Sequence, residues 1–327
     1  MVMNSLSEKA MESPSNRRMV RLHGGAVTNV GRAYRRRSLC LGLYSLGLLA
    51  AAGCTMPAPL RVMSFNIRYG TAQDGADNWP LRRELVFDTI RAYDPDLIGL
   101  QEVLVFQKDE LIEALPDYDF VGVGRSDGSA GGEFAPVMFR RKMFTLIGSG
   151  VFWLSDEPEK IGSRGWDAAL PRIATWVKLQ FKSRPLNHIW LYNTHFDHRG
   201  ERARLESAKL MRRAIEAQGG VPIIVTGDFN AGPASEPYRI LTENTGNLAH
   251  MLDSYTQWRM PEENAGTFNA FRGERGGPRI DWILHNRRFK TREAAIDRAA
   301  LGDRYPSDHF PVTATLELIA KTRWGGM

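Results

Sequence analysis

Polar residues that could do chemistry stand directly after apolar segments of this chain, where a buried strand would have no use for them. The apolar run 97–101 leads straight into Glu102. A buried and unpaired carboxylate is energetically costly, so Glu102 must be exposed, paired with a cation or bound to a metal. The alternative is an ordinary exposed glutamate at the end of a strand.

Segment 192–200 carries the densest group of such residues. Its sequence, YNTHFDHRG, closes an apolar run with two histidines, one aspartate and one arginine. Each of these side chains could belong to an ordinary surface, but His195, Asp197, His198 and Arg199 together favour a functional site. A histidine near neutral pH can transfer protons, stabilise negative charge or bind a metal.

Two further strand-like runs end in amide or carboxylate side chains. The sequence GDFN places Asp228 and Asn230 directly after the apolar run 221–226. Asn66 follows the first apolar run of the body in the same way. Asn, Asp and Gly are also common in turns, so a plain turn is the alternative interpretation for both segments.

The last candidate pair is Asp308-His309, which lies between a turn-forming segment and an apolar run near the C-terminus. Asp281 lies at the start of another apolar run, with the sequence RIDWI. A histidine with a carboxylate partner can protonate a leaving group or stabilise developing charge. These segments therefore add a candidate acid–base group to the carboxylates and amides.

The combined set is rich in carboxylate and amide oxygens, which suit a hard cation such as Mg²⁺ or Mn²⁺. Such a cation neutralises phosphate charge and helps to generate or orient a water molecule. Both cysteines, Cys40 and Cys54, lie near the N-terminus, so the body offers no cysteine nucleophile. The sequence also lacks a phosphate-binding P-loop and a Cys/His zinc pattern.

These polar residues must be positioned by the strands and helices on either side of them. Apolar runs rich in Val, Ile, Phe and Trp predict strands, and runs with helical spacing predict helices. The predicted strands are 62–67, 97–101, 136–140, 173–181, 189–194, 221–226, 280–284 and 310–318. The predicted helices are 81–92, 104–115, 201–217 and 237–242. Strict βαβ alternation is absent, which indicates two sheets with helices on both outer faces in one domain.

With these motifs in this order, residues 60–319 resemble the endonuclease/exonuclease/phosphatase superfamily. The sequence GDFN at 227–230 and the triplet Ser307-Asp308-His309 are the most specific parts of the resemblance. It implies an α+β fold, the DNase I-like four-layer αββα sandwich. It also implies a hydrolase of phosphoric ester bonds that requires Mg²⁺ or Mn²⁺.

The resemblance further implies a role for each matching residue. The metal-site residues are Asn66, Glu102 and Asp308; the catalytic residues are His195, Asp228, Asn230, Asp281 and His309; and Arg172 matches a substrate-binding position. His198 and Arg199, also predicted to bind substrate, go beyond the general family motif and are similar to one bacterial branch. Among them, Glu102 would bind the metal directly, Asp228 would activate or orient water, and Asp281 would orient His309. The resemblance leaves open whether His309 acts as an acid, a base or a stabiliser of charge.

The N-terminal region has the pattern of an export signal. Three arginines at 35–37 precede an uncharged apolar run, 38–53, which is shorter than the ~20 residues that span a bilayer. The sequence AAGC at 51–54 is similar to a bacterial lipobox, which predicts a lipid on Cys54. The alternatives are an ordinary cleaved signal peptide and, less favoured by the length, a retained transmembrane helix.

The chain therefore divides into five segments by sequence pattern. These are a disordered segment with a basic n-region (1–37), a signal segment with a lipobox-like end (38–54), a linker (55–59), the catalytic domain (60–319) and a tail (320–327). Residues 1–53 contain eight Lys/Arg and two Glu, so the net charge of +6 belongs to this region and the remainder is balanced. A dedicated nuclease would usually carry a basic surplus of its own.

The leading hypothesis is a metal-dependent phosphodiesterase or phosphatase of the cell envelope or periplasm, held to the membrane by a lipid. Its substrate would be a phosphorylated small molecule, a lipid head group or a nucleic acid, and we expect a monomer. One alternative is a nuclease, such as a 3′–5′ RNA exonuclease. The other is a non-catalytic envelope binding protein with the same fold, against which the intact set of polar motifs argues.

Overall fold

A computed structural model describes residues 58–319 except 245, 247–249 and 260–262. The export signal, Cys54, most of the linker 55–59 and the tail 320–327 lie outside the described residues. Among the residues that are described, no helix is both long enough and apolar enough to cross a membrane.

Twelve strands within the described residues form two six-stranded sheets. In spatial order, the first sheet contains β11 (Phe289–Ile296), β12 (Val312–Leu318), β1 (Leu60–Asn66), β2 (Leu97–Gln101), β4 (Val137–Arg140) and β3 (Tyr118–Val121). The second sheet contains β5 (Phe144–Trp153), β6 (Ile173–Phe181), β7 (Arg184–His195), β8 (Ile223–Asp228), β10 (Asp281–Asn286) and β9 (Met251–Asp253). Each sheet is mixed, with one parallel pair near its centre, β1–β2 and β7–β8.

Helices cover the outer face of each sheet. They are α1 (Trp79–Tyr93), α2 (Val105–Ala114), α3 (Glu201–Glu216), α4 (Glu236–Thr242) and the short α5 (Ser254–Trp258), with a 3-10 turn at Gly75–Asp77. Val86 of α1 and Leu111 of α2 belong to one apolar cluster with the first sheet. Met211 of α3 and Leu241 of α4 belong to another with the second sheet. The layers are therefore helix, sheet, sheet and helix, and the predicted αββα sandwich is confirmed.

The two sheets face each other across a mostly apolar core. Val62 and Leu97 of the first sheet share one buried cluster with Val177, Ile224 and Ile283 of the second. At about 25 cal/mol per Å² of apolar area removed from water, burial of this kind is the main term that holds two sheets face to face. Successive side chains of each strand point alternately into this core and toward the helices, as the period of two in a β-strand requires.

One end of this core is polar, and it lies directly beneath the strand ends that carry the candidate site. The side-chain oxygen of Asn193 accepts hydrogen bonds from Gln101 Nε2 at 2.7 Å and from Thr226 Oγ1 at 3.0 Å. The amide nitrogen of Asn193 donates to the carbonyl of Leu100 at 2.6 Å. Gly99 makes this approach possible, because a Cβ there would lie 2.0 Å from Thr226 Oγ1. These contacts fix the two sheets against each other.

Helix α1 carries a buried arginine, Arg82, on the face that packs against the first sheet. Pro80 stands in the first turn, where its missing N–H costs nothing, and Asp94 ends the helix in the left-handed region with φ 51°. The buried residues of the helix are Trp79, Arg82, Val86, Phe87 and Ile90. Their spacing is that of one helical face, so Arg82 lies on the face that packs against the first sheet.

All eight predicted strands and all four predicted helices are present, with ends that shift by a few residues. The largest difference is at the start of β7, which begins at Arg184 and not at 189 as predicted. The prediction missed β3, β5, β9, β11 and α5.

Candidate active site

Three of the predicted residues form one row across the second sheet. In the strand register, His195 at the end of β7 is opposite Asp228 at the end of β8. Asp228 is in turn opposite Asp281 at the start of β10. On the first sheet, Asn66 ends β1 opposite Gln101, and Glu102 follows directly. The polar residues of both sheets therefore lie at one edge of the sandwich.

His309 is held by a carboxylate behind it. Its Nδ1 lies 2.9 Å from Asp281 Oδ2, and its Nε2 lies 3.8 Å from Asp228 Oδ2. Burial acts to lower the pKa of His309, but Asp281 and Asp228 oppose it and hold that pKa well above its usual value. The bond to Asp281 places a proton on Nδ1, so the ring presents Nε2 to Asp228.

Asp228 is buried and held at both oxygens. Its Oδ2 accepts from Asn66 Nδ2 at 3.0 Å, and its Oδ1 accepts from the backbone N–H of Asn230 at 2.9 Å. Burial is the main cause that raises the pKa of Asp228 to about 7, and the negative charge of Asp281 is the second. A carboxyl group with a pKa in this range can take up or release a proton at neutral pH.

Asn66 orients two carboxylates with one amide group. Its oxygen accepts the backbone N–H of Arg68 at 2.9 Å, which turns its nitrogen toward Glu102 Oε1 at 3.1 Å and toward Asp228. Glu102 Oε2 also accepts the backbone N–H of Tyr69 at 3.0 Å. The backbone of Glu102 has a φ of 63°, in the left-handed region that residues other than glycine rarely adopt. Such residues are often found at functional sites.

Asp308 lies on the loop before β12, beside the end of β1. The hydroxyl of Ser307 donates to the carbonyl of Asn66 at 2.7 Å and also lies 3.2 Å from Asp308 Oδ1. Arg68 Nη1 lies 3.6 Å from Asp308 Oδ2. Burial raises the pKa of Asp308. The loop that carries Asp308 and His309 is therefore tied to the strand that carries Asn66.

His195 lies between the catalytic row and a cluster of arginines. Its Nε2 lies 3.1 Å from Asn230 Nδ2 and 3.5 Å from Asp228 Oδ2, and its Nδ1 lies 3.9 Å from Glu133 Oε2. Burial and the nearby arginines hold the pKa of His195 well below its usual value. Asn230 adopts a left-handed φ of 48°, which brings its amide next to this ring.

Arg172 stands at the far end of the same cleft. Its side chain is only 4% exposed, and its Nε and Nη1 have no hydrogen-bond partner among the described residues. Its Nη2 lies 3.0 Å from His198 Nδ1, and Asp197 and Glu133 are its nearest carboxylates, at 3.5 and 3.9 Å. A buried guanidinium with unused donors is suited to bind an anionic or hydroxylated ligand.

One cleft of about 650 Å³ joins these groups. Eight predicted site residues line it, namely Glu102, Arg172, His195, His198, Asp228, Asn230, Asp308 and His309. Asn66 and Asp281 are buried behind the lining, where they contact Asp228 and His309. The structure does not bring Arg199 to the cleft, since that residue is exposed on the loop after β7 and is not part of the lining.

Glu133 and Phe268 are two cleft residues that the sequence interpretation missed. Glu133 lies in a glycine-rich segment and forms a bidentate ion pair with Arg125, at 2.7 and 2.8 Å. Phe268 is 46% exposed and lies edge-on to the ring of His309, with centroids 5.3 Å apart. An acidic residue just before the apolar run 134–139 was an available signal for Glu133. No pattern marked Phe268.

The sequence model of the endonuclease/exonuclease/phosphatase family matches residues 63–309, a range that includes every residue that lines the cleft. The chain belongs to the endonuclease/exonuclease/phosphatase family. Members of this family hydrolyse phosphoester bonds, and the family generally uses divalent metals.

Solved structures of the endonuclease/exonuclease/phosphatase family show the same fold. A member from Bacteroides vulgatus is 38% identical, with a TM-score of 0.74 over 80% of this chain and 99% of its own. A mannosyl-6-phosphatase from Bacteroides thetaiotaomicron is 33% identical, with a TM-score of 0.71 over 79% of this chain and 99% of its own. Nocturnin of Xenopus laevis is 27% identical over 303 residues, which cover 80% of this chain and 74% of that protein.

The donor atoms of the cleft fit a hard cation of the kind the endonuclease/exonuclease/phosphatase family uses. Glu102 and Asp308 line the cleft with carboxylate oxygens, the ligand type that Mg²⁺ and Mn²⁺ prefer. Asp228, Asp281 and His309 also have ligand atoms within 4.8 Å of one another. That second group is already paired internally, because Asp281 accepts the Nδ1 hydrogen of His309. The carboxylates of Glu102 and Asp308 therefore fit a divalent cation, while the second group is already engaged in its own hydrogen bond.

Proposed function

We propose that this protein is a Mg²⁺- or Mn²⁺-dependent hydrolase of small phosphomonoesters. The observation that carries the proposal is the Asp281–His309 pair, whose free ring nitrogen faces Asp228 in the cleft that also contains Glu102. An oriented imidazole, a buried carboxylate and an oxygen-rich metal site are the groups that hydrolysis of a phosphate ester requires.

The metal site would consist of Glu102 as direct ligand, with Asp308 beside it and Asn66 orienting the carboxylate of Glu102. A cation bound there would neutralise charge on the phosphoryl oxygens and would hold the phosphate in the cleft. The bonds from Asn66 and Tyr69 hold both oxygens of Glu102 in place before any ligand binds. Such support restricts the carboxylate to one orientation.

The proton transfers fall to Asp228 and His309. Asp228 accepts a proton from the water that attacks phosphorus, the bond from phosphorus to the leaving oxygen breaks, and that oxygen receives a proton from His309 Nε2. Asp281 and Asp228 raise the pKa of His309, which favours the charged ring that donates this proton. Asn230 and His195 line the same space and would bind the remaining phosphoryl oxygens.

The proposed leaving group is a small polyol such as a sugar. The end of the cleft near Arg172 offers unused guanidinium donors, the ring of His198 and the carboxylate of Glu133, a set that suits hydroxyl groups. The body of the chain has no basic surplus to bind a long nucleic acid. The similarity to a bacterial mannosyl-6-phosphatase at 33% identity supports the same substrate class.

We also propose that the protein acts in the cell envelope or periplasm as a lipid-anchored monomer. The support is the basic stretch 35–37, the apolar run 38–53 and the lipobox-like end at Cys54. Two or more acyl chains on that cysteine would give stable membrane attachment, whereas one chain gives only marginal binding.

A phosphate-release screen tests the substrate class. The purified protein is incubated with Mg²⁺ or Mn²⁺ and with sugar phosphates, nucleoside monophosphates, a phosphorylated lipid, single-stranded RNA and DNA. We expect the highest kcat/KM for a sugar phosphate and little release from the polymers. Preferential cleavage of RNA or DNA would replace this proposal with a nuclease. Absence of turnover on every substrate with either metal would favour a binding protein.

A further inference from the structure

Arg82 is a cation in the interior of the first helix layer, and within the described residues its guanidinium donates to backbone carbonyls only. The side chain is 1% exposed. Its Nη1 donates to the carbonyls of Ile67 at 2.7 Å and Pro306 at 2.9 Å. Its Nη2 donates to the carbonyl of Arg68 at 3.1 Å, and its Nε donates to the carbonyl of Asp77 at 2.8 Å.

These carbonyls belong to two loops that are more than 200 positions apart and that both carry site residues. The carbonyls of Ile67 and Arg68 follow Asn66, in the loop whose Tyr69 N–H holds Glu102. The carbonyl of Pro306 comes directly before Ser307, Asp308 and His309. One nitrogen atom, Nη1, therefore contacts both loops at once.

The rings around Arg82 indicate that its position is fixed. Its guanidinium carbon lies 5.1 Å from the ring centroid of Trp79 and 5.4 Å from that of Phe271. Phe271 belongs to the segment after Thr267, which hydrogen-bonds to the His309 loop through Asn269. The planar guanidinium is thus bound at its edge by carbonyls and lies near two aromatic rings.

We infer that Arg82 is a positioning residue for the active site, which joins the loop after Asn66 to the loop of Asp308 and His309 through its four carbonyl contacts. It thereby sets the distance between the Glu102 metal site and the imidazole of His309. The inference rests on the proposed function for its kinetic consequence, but the joining of the two loops stands independently of any activity. A displacement of about 1 Å between reacting groups can cost on the order of 10²-fold in rate.

Arg212 provides a matched control on the opposite side of the sandwich. Its side chain is also buried, and its Nη1 donates to the carbonyls of Ile240 at 3.0 Å and Glu243 at 3.2 Å. Those carbonyls belong to the end of α4 and do not line the cleft. Arg212→Met should therefore lose comparable buried bonds without an effect on the site.

The first measurement is hydrogen exchange in the absence of substrate and metal, on wild type, Arg82→Met, Arg82→Lys and Arg212→Met. We expect Arg82→Met to lose protection in peptides covering both 67–70 and 307–310, and Arg82→Lys to lose less. Arg212→Met should leave both peptides protected and affect α4. Unchanged protection of either peptide in Arg82→Met would overturn the inference, whether or not the protein is a phosphatase.

The second measurement is kcat/KM and the Mg²⁺ concentration for half-maximal rate on the same variants, at a temperature where all remain folded. Arg82→Met should lower kcat/KM by about 10- to 100-fold and raise the half-saturating Mg²⁺ concentration, with partial recovery in Arg82→Lys. Arg212→Met should match wild type in both. Equal kinetic losses in Arg82→Met and Arg212→Met would show a general stability effect and overturn the inference. Lack of turnover in wild type would refute the proposed function and leave the exchange result to decide.

Discussion

His309 Nδ1 lies 2.9 Å from Asp281 Oδ2, and both groups are almost fully buried at the end of the second sheet. The strand register places Asp281 directly opposite Asp228, so the imidazole stands between two carboxylates. One carboxylate fixes the tautomer of the ring, and the other faces the nitrogen that remains. This arrangement of two carboxylates around the ring opposes the effect of burial and raises the pKa of His309.

Asp281→Asn should fold normally and lower kcat. The carboxylate of Asp281 raises the pKa of His309, so its loss should move the limb of the pH–rate profile that belongs to His309 to lower pH. A profile of kcat/KM against pH for wild type and variant measures the shift. If Asp281 serves only to pair with a nearby arginine, the two profiles will superimpose.

The same change alters how stability depends on pH. The folded-state pKa of His309 is raised above its unfolded value, so its contribution to stability is fully present below about pH 6.5 and is lost as pH rises through the folded-state pKa. In Asp281→Asn this loss should occur at lower pH. Urea unfolding of the metal-free protein between pH 5 and 9 gives the two curves, and identical curves would contradict the assigned pairing.

The strands that the sequence predicted and those that it missed differ in one physical property. The four missed strands, β11, β3, β5 and β9, are the two edges of each sheet, and all eight predicted strands are interior. An interior strand is covered on both faces and reads as a continuous apolar run. The edge strand β11 carries Lys290, Arg292 and Glu293 on exposed positions, and β5 contains Gly148 and Gly150. Edge strands need such residues to avoid pairing with other chains, which removes the apolar signal.

The candidate site was predictable where a polar residue ends an interior strand, as for His195 and Asp228. It was not predictable for Phe268, which no pattern marks, or for Arg82, which is a cation on a helix. A sequence shows that Arg82 has the spacing of the buried face of α1, but not that four carbonyls from distant loops converge on it. Such convergence is a tertiary property.

Glu133→Gln should destabilise the protein, because it removes the charge that neutralises Arg125 in a bidentate pair whose side chains are only 15% and 9% exposed. Breaking a buried pair from one side typically costs about 3–5 kcal/mol. Asp119→Asn is the control, since its pair with Arg141 is 42% and 57% exposed and such pairs contribute about 0–1 kcal/mol. Urea unfolding at pH 7 measures the free energy of unfolding of both variants. Equal losses would show that the Glu133 pair is as accessible to solvent as the Asp119 pair.

Gly99→Ala should drive the two sheets apart at the site end of the core. The new Cβ would lie 2.0 Å from Thr226 Oγ1 and 2.4 Å from Asn193 Oδ1, so the polar contacts between the sheets could not form. We expect at least about 1–3 kcal/mol of destabilisation together with loss of activity. Gly148→Ala, whose Cβ would meet its nearest atom at 3.6 Å, should be near neutral. A stable and active Gly99→Ala variant would refute the role of this contact.

Cys54→Ser should release the protein from the membrane fraction or block its processing. Cys40→Ser is the matched control, because it changes the other cysteine of the chain within the apolar run. Fractionation of cells and metabolic labelling with a radioactive fatty acid report the outcome. If Cys54→Ser fractionates and is labelled like wild type, Cys54 is not the lipidation site.

The metal dependence of phosphate release is the most direct test of the proposed mechanism. Wild type, Glu102→Gln and the control Glu84→Gln, whose side chain is 67% exposed, are treated with EDTA and titrated with Mg²⁺ on p-nitrophenyl phosphate. We predict no release without metal, full recovery in wild type and Glu84→Gln, and only partial recovery in Glu102→Gln. Because even outer contacts of a metal typically contribute about 10- to 100-fold, the half-saturating Mg²⁺ concentration of Glu102→Gln should rise by at least about 10-fold. Release that persists in EDTA, or a Glu102→Gln curve that superimposes on wild type, would contradict a metal-dependent hydrolase centred on Glu102.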